Sequence, residues 1–204
     1  MTPPRDFDEF YRTEIPPWDT KAPKESVIAW QQAGLIHGDV LDIGCGLGDN
    51  AIFLAQQGYP VTGLDISPTA LNTARQRAAD AGAPVSFAVT DACVLDGYTG
   101  TFDTVVDSGC YHCLDDEGRG RYAVAVHRAT RPGATLLLSA FSDANAAHGD
   151  WPRPMVSEQT LRRTFGDAGW DIVALTSITV PIGDQHSSAE MWMLHAQRSE
   201  VPAR

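Results

Sequence analysis

The sequence predicts an α/β protein built on one doubly wound, Rossmann-like sheet of seven strands, with helices on both faces. Between residues 39 and 140, short apolar runs alternate with helical segments, and strands that are apolar on both sides are typical of a parallel sheet covered by helices. A glycine-rich turn joins the first of these runs to the helix after it. Two strand-like runs near the C-terminus have no helix between them, so the mostly parallel sheet is expected to end in an antiparallel hairpin.

The N-terminal part is predicted to be helical but interrupted. It opens with the aromatic residues Phe7, Phe10 and Tyr11, and a helix is expected over residues 24–33. Pro16-Pro17 must separate these two parts, because proline has no backbone N–H to donate within a helix.

The alternating series contains five predicted strands and three predicted helices. The helix after the second strand has Ser67 as its N-cap and Pro68 at its first position, the places that these residue types favour. Pro132-Gly133 is expected to stop the third helix. The predicted strands cover residues 39–43, 61–64, 85–89, 102–106 and 134–140, and the predicted helices cover residues 50–57, 68–81 and 117–130.

The C-terminal part contains one more helix and the two strands of the hairpin. The helix is expected to follow Ser157 and to end near residue 168, with Ser157 or Thr160 as its cap. The strand-like runs cover residues 170–180 and 189–197, with a Pro-Ile-Gly-Asp turn between them.

Length and charge limit the partners of the chain. The 204 residues suit a single domain, and their formal net charge of −11 disfavours nucleic acids and anionic membranes, which are bound mainly through Lys and Arg. No apolar run approaches the roughly 20 residues that span a bilayer. The N-terminus has no signal-peptide pattern, so a cytoplasmic protein without disulfides is expected.

The glycine-rich turn is the strongest local motif. Gly44, Gly46 and Gly48 alternate along a strand-to-helix turn, where glycine allows positive φ and lets a ligand lie against bare main chain. This G-x-G-x-G spacing differs from the G-x-G-x-x-G fingerprint of dinucleotide-binding proteins. Asp42, just before the turn, suits a cationic amine or sulfonium better than a pyrophosphate.

Two further aspartates follow the next strands. Asp65 ends the second strand about 20 residues beyond the turn, which is where an acidic side chain accepts both hydroxyls of a ribose. Asp91 follows the third strand, either to meet an adenine amino group or simply to cap a helix.

These motifs together resemble the class I S-adenosylmethionine-dependent methyltransferase family, and the resemblance covers nearly the whole chain. Their order and spacing are more specific than any one of them. The segments that carry the resemblance are residues 42–48 for the first motif, 64–67 for the second, 90–92 for the adenine contact, 102–108 for the fourth strand and 131–134 for the turn before the fifth.

Within the family, the chain is similar to small-molecule enzymes of the thiopurine and tellurite-resistance type and to mycobacterial heterocyclic toxin methyltransferases. Residues 17–19, 107–112 and 156–158 carry this similarity. The Asn-Pro-Pro-Tyr motif of nucleic-acid amino-methyltransferases is absent after the fourth strand. Ala134 stands where a second glycine is common. Residues 20–23 replace a glycine-containing stretch of the family, so the resemblance does not predict the shape of the N-terminal lid.

The resemblance implies methyl transfer from S-adenosylmethionine to an O, N or S atom of a small aromatic or heterocyclic molecule, leaving S-adenosylhomocysteine. It divides the single domain 1–204 into an N-terminal helical lid (1–37), a cofactor-binding core (38–140) and an acceptor-side segment with the hairpin (141–204). The implied cofactor-binding residues are Trp18, Asp42, Gly44, Cys45, Gly46, Gly48, Asn50, Asp65, Ile66, Asp91, Ala92 and Asp107.

His112 is the candidate catalytic base. It follows the fourth strand at its carboxyl end, where ligands of open α/β sheets bind, and an ordinary imidazole pKa of about 6.5 suits deprotonation of a phenol-like hydroxyl or a ring N–H. The alternative is a histidine that packs in the loop. The acceptor-contacting candidates are Tyr111, which is alternatively a core residue, and His112, His148, Trp151 and Arg153; His186 is expected to be an exposed loop residue.

Other interpretations stay open at this point. Cys110 and Cys113 form a C-x-x-C, but no second ligand pair has zinc spacing, so no metal is expected. Trp18 forms either a flap over the methionine end of the cofactor or an anchor for the N-terminal helix. The competing functions are an NAD(P)-dependent oxidoreductase and a catalytically silent cofactor-binding protein. A monomer and a homodimer are equally compatible with the sequence.

Overall fold

A computed structural model describes residues 6–14, 16–148, 154–181 and 188–199, with only the backbone at residue 148. Its centre is a seven-stranded sheet in the order β3-β2-β1-β4-β5-β7-β6. The strands are β1 (Val40–Ile43), β2 (Val61–Asp65), β3 (Val85–Val89), β4 (Phe102–Ser108), β5 (Thr130–Phe141), β6 (Trp170–Pro181) and β7 (Ser188–Arg198). This confirms the predicted fold class and the terminal hairpin.

The strand directions put one set of loops at one edge of the sheet. β1 to β5 pair in parallel, whereas β7 is antiparallel to both β5 and β6. The carboxyl ends of β1, β2 and β4 are therefore neighbours, with Ile43 paired to Leu64 on one side and to Asp107 on the other. Loops that follow these ends form the crevice in which open α/β sheets bind ligands.

Six α-helices accompany the described strands. The helix caps follow the predicted chemistry: Ser67 Oγ accepts from the Ala70 N–H, and Ser157 accepts from the Thr160 N–H, so Ser157 and not Thr160 is the cap of the last helix. The helices are α1 (Phe7–Thr13), α2 (Glu25–Gln32), α3 (Asp49–Gln56), α4 (Pro68–Asp80), α5 (Asp116–Ala129) and α6 (Glu158–Asp167).

Two apolar clusters cover the two faces of the sheet. One joins the inner strands to α5 and α6 through side chains such as Tyr122 and Phe165. The other joins β1 and β2 to α2 and α3 through Trp30 and Leu54. This three-layer arrangement is what strands apolar on both faces require.

The predicted role of Pro132-Gly133 as the stop of a helix is wrong. α5 ends at Ala129, and β5 already begins at Thr130. The pairing of β5 with β4 shifts between Thr130 and Thr135, so residues 131–134 form an irregularity in the ladder. A proline fits there because a bulged residue does not need its N–H for the ladder.

No helix among the described residues is long and apolar enough to cross a membrane. All four cysteines are free thiols. No cluster of potential metal ligands occurs in the described part of the chain.

Candidate functional site

The glycine turn between β1 and α3 bends through left-handed backbone conformations. Gly44, Gly46 and Gly48 have φ of 67°, 52° and 87°, a region that residues with a Cβ seldom adopt. The Gly44 and Cys45 N–H groups donate to the Leu64 carbonyl at 2.7 and 3.0 Å. These two bonds fix the turn against the end of β2 and set the path of the chain into α3.

Asp65 links this turn to the start of α4. Its Oδ2 accepts from the Gly46 N–H at 2.8 Å, and its Oδ1 accepts from the Ser67 N–H at 2.9 Å. Burial raises the pKa of the Asp65 carboxyl, and the backbone N–H groups of Ser67, Gly46 and Ile66 oppose the rise. The next side chain, Ile66, is 56% exposed although it is large and apolar. A buried carboxylate therefore lies directly beside an exposed apolar surface.

Asp42 is a second buried carboxylate, at the end of β1. Its Oδ2 is buried without a hydrogen-bond partner in the described part of the chain. Burial, and next the negative charge of Asp107, raise the pKa of Asp42 to about 7. A buried acceptor of this kind is costly unless a donor or a positive charge satisfies it.

Asp107, at the end of β4, has no exposed surface and is already bonded within the protein. Its Oδ1 accepts from the N–H groups of Gly109 and Cys110, and its Oδ2 accepts from the Tyr111 N–H and, at 2.7 Å, from the Tyr122 hydroxyl. Burial raises its pKa to about 6. These contacts make Asp107 the residue that shapes the turn after β4, and they do not support the expected direct contact with a cofactor.

Tyr111 belongs to the core, the alternative that the sequence left open, and not to the lining of an acceptor pocket. Its side chain is completely buried, with ring centroids 5.4 Å from Tyr122 and 5.1 Å from Phe165.

His112 lies where the turn after β4 meets the end of β5. Its ring centroid is 4.9 Å from that of Phe141, with the planes at 53°, and only 7% of the residue is exposed. The His112 carbonyl accepts from the Arg119 guanidinium at 3.3 Å, which ties this short 3-10 turn to α5. The imidazole is therefore held in a defined place at the carboxyl ends of β4 and β5.

The N-terminal segment covers the glycine turn. The rings of Phe10 and Trp18 stack at 5.2 Å, and the Trp18 indole N–H donates to the Tyr11 hydroxyl oxygen at 3.2 Å. A Cβ added to Gly46 would lie 2.7 Å from that oxygen. These contacts show Trp18 as an anchor of α1, and its expected role as a flap over the methionine end of the cofactor stays a prediction.

Polar contacts fasten this cover to α4. Asp8 accepts from the Ser67 hydroxyl at 2.7 Å and from the Thr69 N–H at 2.9 Å, so it caps α4 from a distant part of the chain. Arg77 of α4 pairs with Asp19 at 2.8 Å and with Asp49 at 3.0 Å. Because Arg77 is half-buried, these ion pairs contribute more to the stability of the fold than fully exposed pairs do.

The remaining predicted residues are dispersed. Asn50 accepts from the Lys24 N–H at 2.9 Å and so holds the start of α2. Asp91 accepts from the Cys93 N–H at 2.8 Å, as a turn-capping residue does, and Ala92 next to it is half-buried. Trp151, Arg153 and His186 lie outside the described residues, as does the side chain of His148.

Sequence reasoning did not single out Tyr11, Asp8, Arg77 or Phe141 as site residues. No local motif marks them, because each reaches the crevice from another element. For Tyr11 and Asp8 the available signal was the aromatic and acidic character of the N-terminal stretch, which resembles an ordinary amphipathic helix, and Arg77 and Phe141 had no signal.

Comparisons with known proteins agree with this geometry. A family model described as a methyltransferase domain matches residues 40–133. The chain is 38% identical over 165 residues to the 2-heptyl-1-hydroxyquinolin-4(1H)-one methyltransferase of Mycobacteroides abscessus, an alignment that covers 76% of this chain and 72% of that protein.

Two solved structures extend the likeness to the fold. One, from work on the conversion of a disulfide bond into a thioacetal group during echinomycin biosynthesis, is 36% identical, with a TM-score of 0.86 over 97% of this chain and 92% of that one. The other is a Burkholderia thailandensis 1,6-didemethyltoxoflavin-N1-methyltransferase with bound 1,6-didemethyltoxoflavin and S-adenosylhomocysteine. It is 21% identical, with a TM-score of 0.72 over 95% of this chain and 86% of that one, and supports the fold alone.

The family model covers the segment that contains the glycine turn, Asp65 and Asp107, and the sequence relative extends over most of both chains. The chain therefore belongs to the class I S-adenosylmethionine-dependent methyltransferase family.

Proposed function

We propose that this S-adenosylmethionine-dependent enzyme methylates an O, N or S atom of a small, planar aromatic or heterocyclic acceptor. The observation that carries the acceptor class is the packed His112–Phe141 pair at the carboxyl ends of β4 and β5, with His112 two residues after Cys110, which lies against Gly44 of the glycine turn. The sequence relative is named as a methyltransferase of 2-heptyl-1-hydroxyquinolin-4(1H)-one, a planar heterocycle, which supports the same class.

The residues around the glycine turn fit the cofactor. A carboxylate can accept about four hydrogen bonds, and the two backbone donors on Asp65 leave acceptor positions for the two hydroxyls of a ribose. Ile66 offers an exposed apolar surface for the flat face of an adenine. The unpartnered Asp42 Oδ2 would be satisfied by a cationic amine on the methionyl part.

When bound, S-adenosylmethionine supplies an electrophilic methyl group on its sulfonium, so the protein's main tasks are to orient the acceptor and to exclude water. We assign His112 the task of holding the acceptor and accepting its proton where the acceptor carries one. Its fixed ring suits this role, because a base must lie at a defined distance from the proton that it takes. Phe141 then provides an apolar wall against which a planar ring packs.

The N-terminal segment contributes by covering the reaction. Tyr11 lies against the glycine turn with Trp18 bonded to it, and Asp8 and Arg77 hold their segment on α4. We assign residues 1–37 to the lid, 38–140 to the cofactor-binding core and 141–204 to the acceptor side. The net charge of −11 supports an acceptor other than a nucleic acid. We also propose that the enzyme acts in the cytoplasm.

The test is a methyl-transfer assay with S-adenosylmethionine that carries an isotopically labelled methyl group, over a panel of phenols, hydroxyquinolines, ring N–H heterocycles and thiols. The expected result is labelled product from a subset of planar acceptors, together with one equivalent of S-adenosylhomocysteine. Transfer to aliphatic thiols alone would refute the planar acceptor class. The comparisons give no support to the nicotinamide alternative, and calorimetric titration with NADH is expected to give no binding.

A further inference from the structure

The hydroxyl of Tyr11 lies against the main chain of the glycine turn. A Cβ built on Gly46 would lie only 2.7 Å from Tyr11 Oη, so the two are in contact because Gly46 has no side chain. The same Gly46 donates its N–H to Asp65. Tyr11 is thus placed beside the two features to which we assign the cofactor, although it comes from α1, about 35 residues earlier in the chain.

The hydrogen bonding of Tyr11 leaves its proton available. Its oxygen accepts from the Trp18 indole N–H at 3.2 Å, and no acceptor among the described residues takes the Tyr11 proton. Tyr11 is half-buried, and a tyrosine hydroxyl can both donate and accept, so its O–H is able to donate to a ligand beside the turn. An ordinary tyrosine is already protonated near neutral pH, and burial and the nearby Asp65 carboxylate raise the pKa of Tyr11 further.

Contacts within the protein hold Tyr11 in place. Asp8, one turn earlier on α1, accepts from the Ser67 hydroxyl and the Thr69 N–H, and Phe10 stacks on Trp18. Because these contacts order the segment, little additional side-chain entropy of Tyr11 is lost when its hydroxyl meets a ligand.

We propose that Tyr11 is a cofactor-positioning residue whose hydroxyl donates a hydrogen bond to an oxygen of the bound adenosyl cofactor. The acceptor oxygen belongs either to the ribose or to the methionyl carboxylate, and both fit a donor held over Gly46. This inference rests on the proposed cofactor site at Asp65 and the glycine turn.

The test compares Tyr11→Phe with wild type and with Tyr98→Phe as a matched control. Tyr98 is half-buried beside Phe102, with ring centroids at 5.5 Å, and is remote from the turn in sequence and contacts. Calorimetry measures the affinity of each protein for S-adenosylhomocysteine and for 5′-methylthioadenosine, which has the ribose but lacks the carboxylate. Thermal unfolding with and without ligand provides a second measure of binding.

For Tyr11→Phe we expect about tenfold weaker binding of S-adenosylhomocysteine, the loss of one hydrogen bond to a polar or charged acceptor, and a smaller ligand-induced rise in Tm. Tyr98→Phe should match wild type. A loss with both ligands identifies the ribose, and a loss with S-adenosylhomocysteine alone identifies the carboxylate. Unchanged affinity in Tyr11→Phe would overturn the proposal and leave Tyr11 as a packing residue. If wild type itself binds neither ligand, the proposed cofactor site fails instead.

Discussion

Replacement of Asp65 by asparagine tests the cofactor site most directly. The substitution keeps the size of the side chain but changes one acceptor oxygen into an NH2 group and removes the charge. In the wild type, the two carboxylate oxygens accept from Gly46 and Ser67 at 2.8 and 2.9 Å. Whichever way the amide turns, its NH2 group faces one of these backbone donors, and one acceptor position for the ribose disappears.

The expected loss follows from these contacts. A hydrogen bond to a charged group contributes about 1.5–3 kcal/mol, so losing one ribose contact and the charge on the other weakens cofactor binding by about 10- to 100-fold. Asp65→Ala removes both acceptors and should weaken binding further. Asp96→Asn, at an exposed site, is the control with the same change in net charge.

The assay is calorimetric titration with S-adenosylhomocysteine. Because burial raises the pKa of Asp65, its carboxyl takes up a proton at a higher pH than an ordinary aspartate does, and wild-type affinity should already begin to fall in mildly acidic buffer. This acid-side loss should be absent from Asp65→Asn. An affinity for Asp65→Asn within twofold of the Asp96→Asn value at neutral pH would refute the reasoning.

Three further predictions concern the base, the turn and the buried carboxylates. His112→Ala should lower kcat by about 10²–10⁴-fold and leave the affinity for S-adenosylhomocysteine unchanged; an unaltered rate and pH–rate profile would make His112 a packing residue. In urea unfolding, Gly44→Ala should lose about 1–3 kcal/mol more than Gly82→Ala, because both have positive φ but only the Gly44 methyl would meet a neighbour, Cys110 Cβ, at 2.5 Å. Equal losses would contradict that steric account. Asp42 has a pKa of about 7 in the folded protein and about 3.9 in the unfolded chain. Between these values the folded state binds more protons, so the wild type loses stability as the pH rises from about 4 to about 7. Asp42→Asn should therefore gain stability relative to wild type between pH 5 and pH 8, and parallel pH profiles for the two proteins would exclude this.

The cofactor side of the crevice was predictable because its signals are local. Glycines at positive φ, a strand that ends in Asp65 and a serine cap at Ser67 are each encoded within a few residues, and each lies where the pattern placed it. The predicted strand ends differ from the observed ones by a few residues, as at β5, because pairing with β4 extends that strand past Pro132.

The acceptor side was less predictable, because its side chains come together only through tertiary packing. The sequence placed Tyr111 beside His112 as a candidate acceptor contact. A 3-10 turn instead directs Tyr111 into the core against Phe165, while the His112 ring packs on Phe141. Asp107 likewise looks from its motif like a ligand contact, but four protein donors occupy it. The local hydrophobic pattern predicts neither the burial of Tyr111 nor the internal hydrogen bonding of Asp107.

The position of β7 has a consequence for how the chain acquires its structure. β6 is made before β7, yet it joins the sheet only through β7, which lies between β5 and β6. During synthesis, one edge of β5 and both edges of β6 have no neighbouring strand to bond with until β7 has been made. Unpaired strand edges of this kind are prone to aggregate. The buried Leu194 and Ala196 of β7 belong to the apolar cluster on the α5–α6 side, so that cluster is complete only when β7 has joined. Pairing of β5, β7 and β6 should consequently be slower than formation of the locally encoded β1–β4 part, because it joins segments that are far apart in the chain.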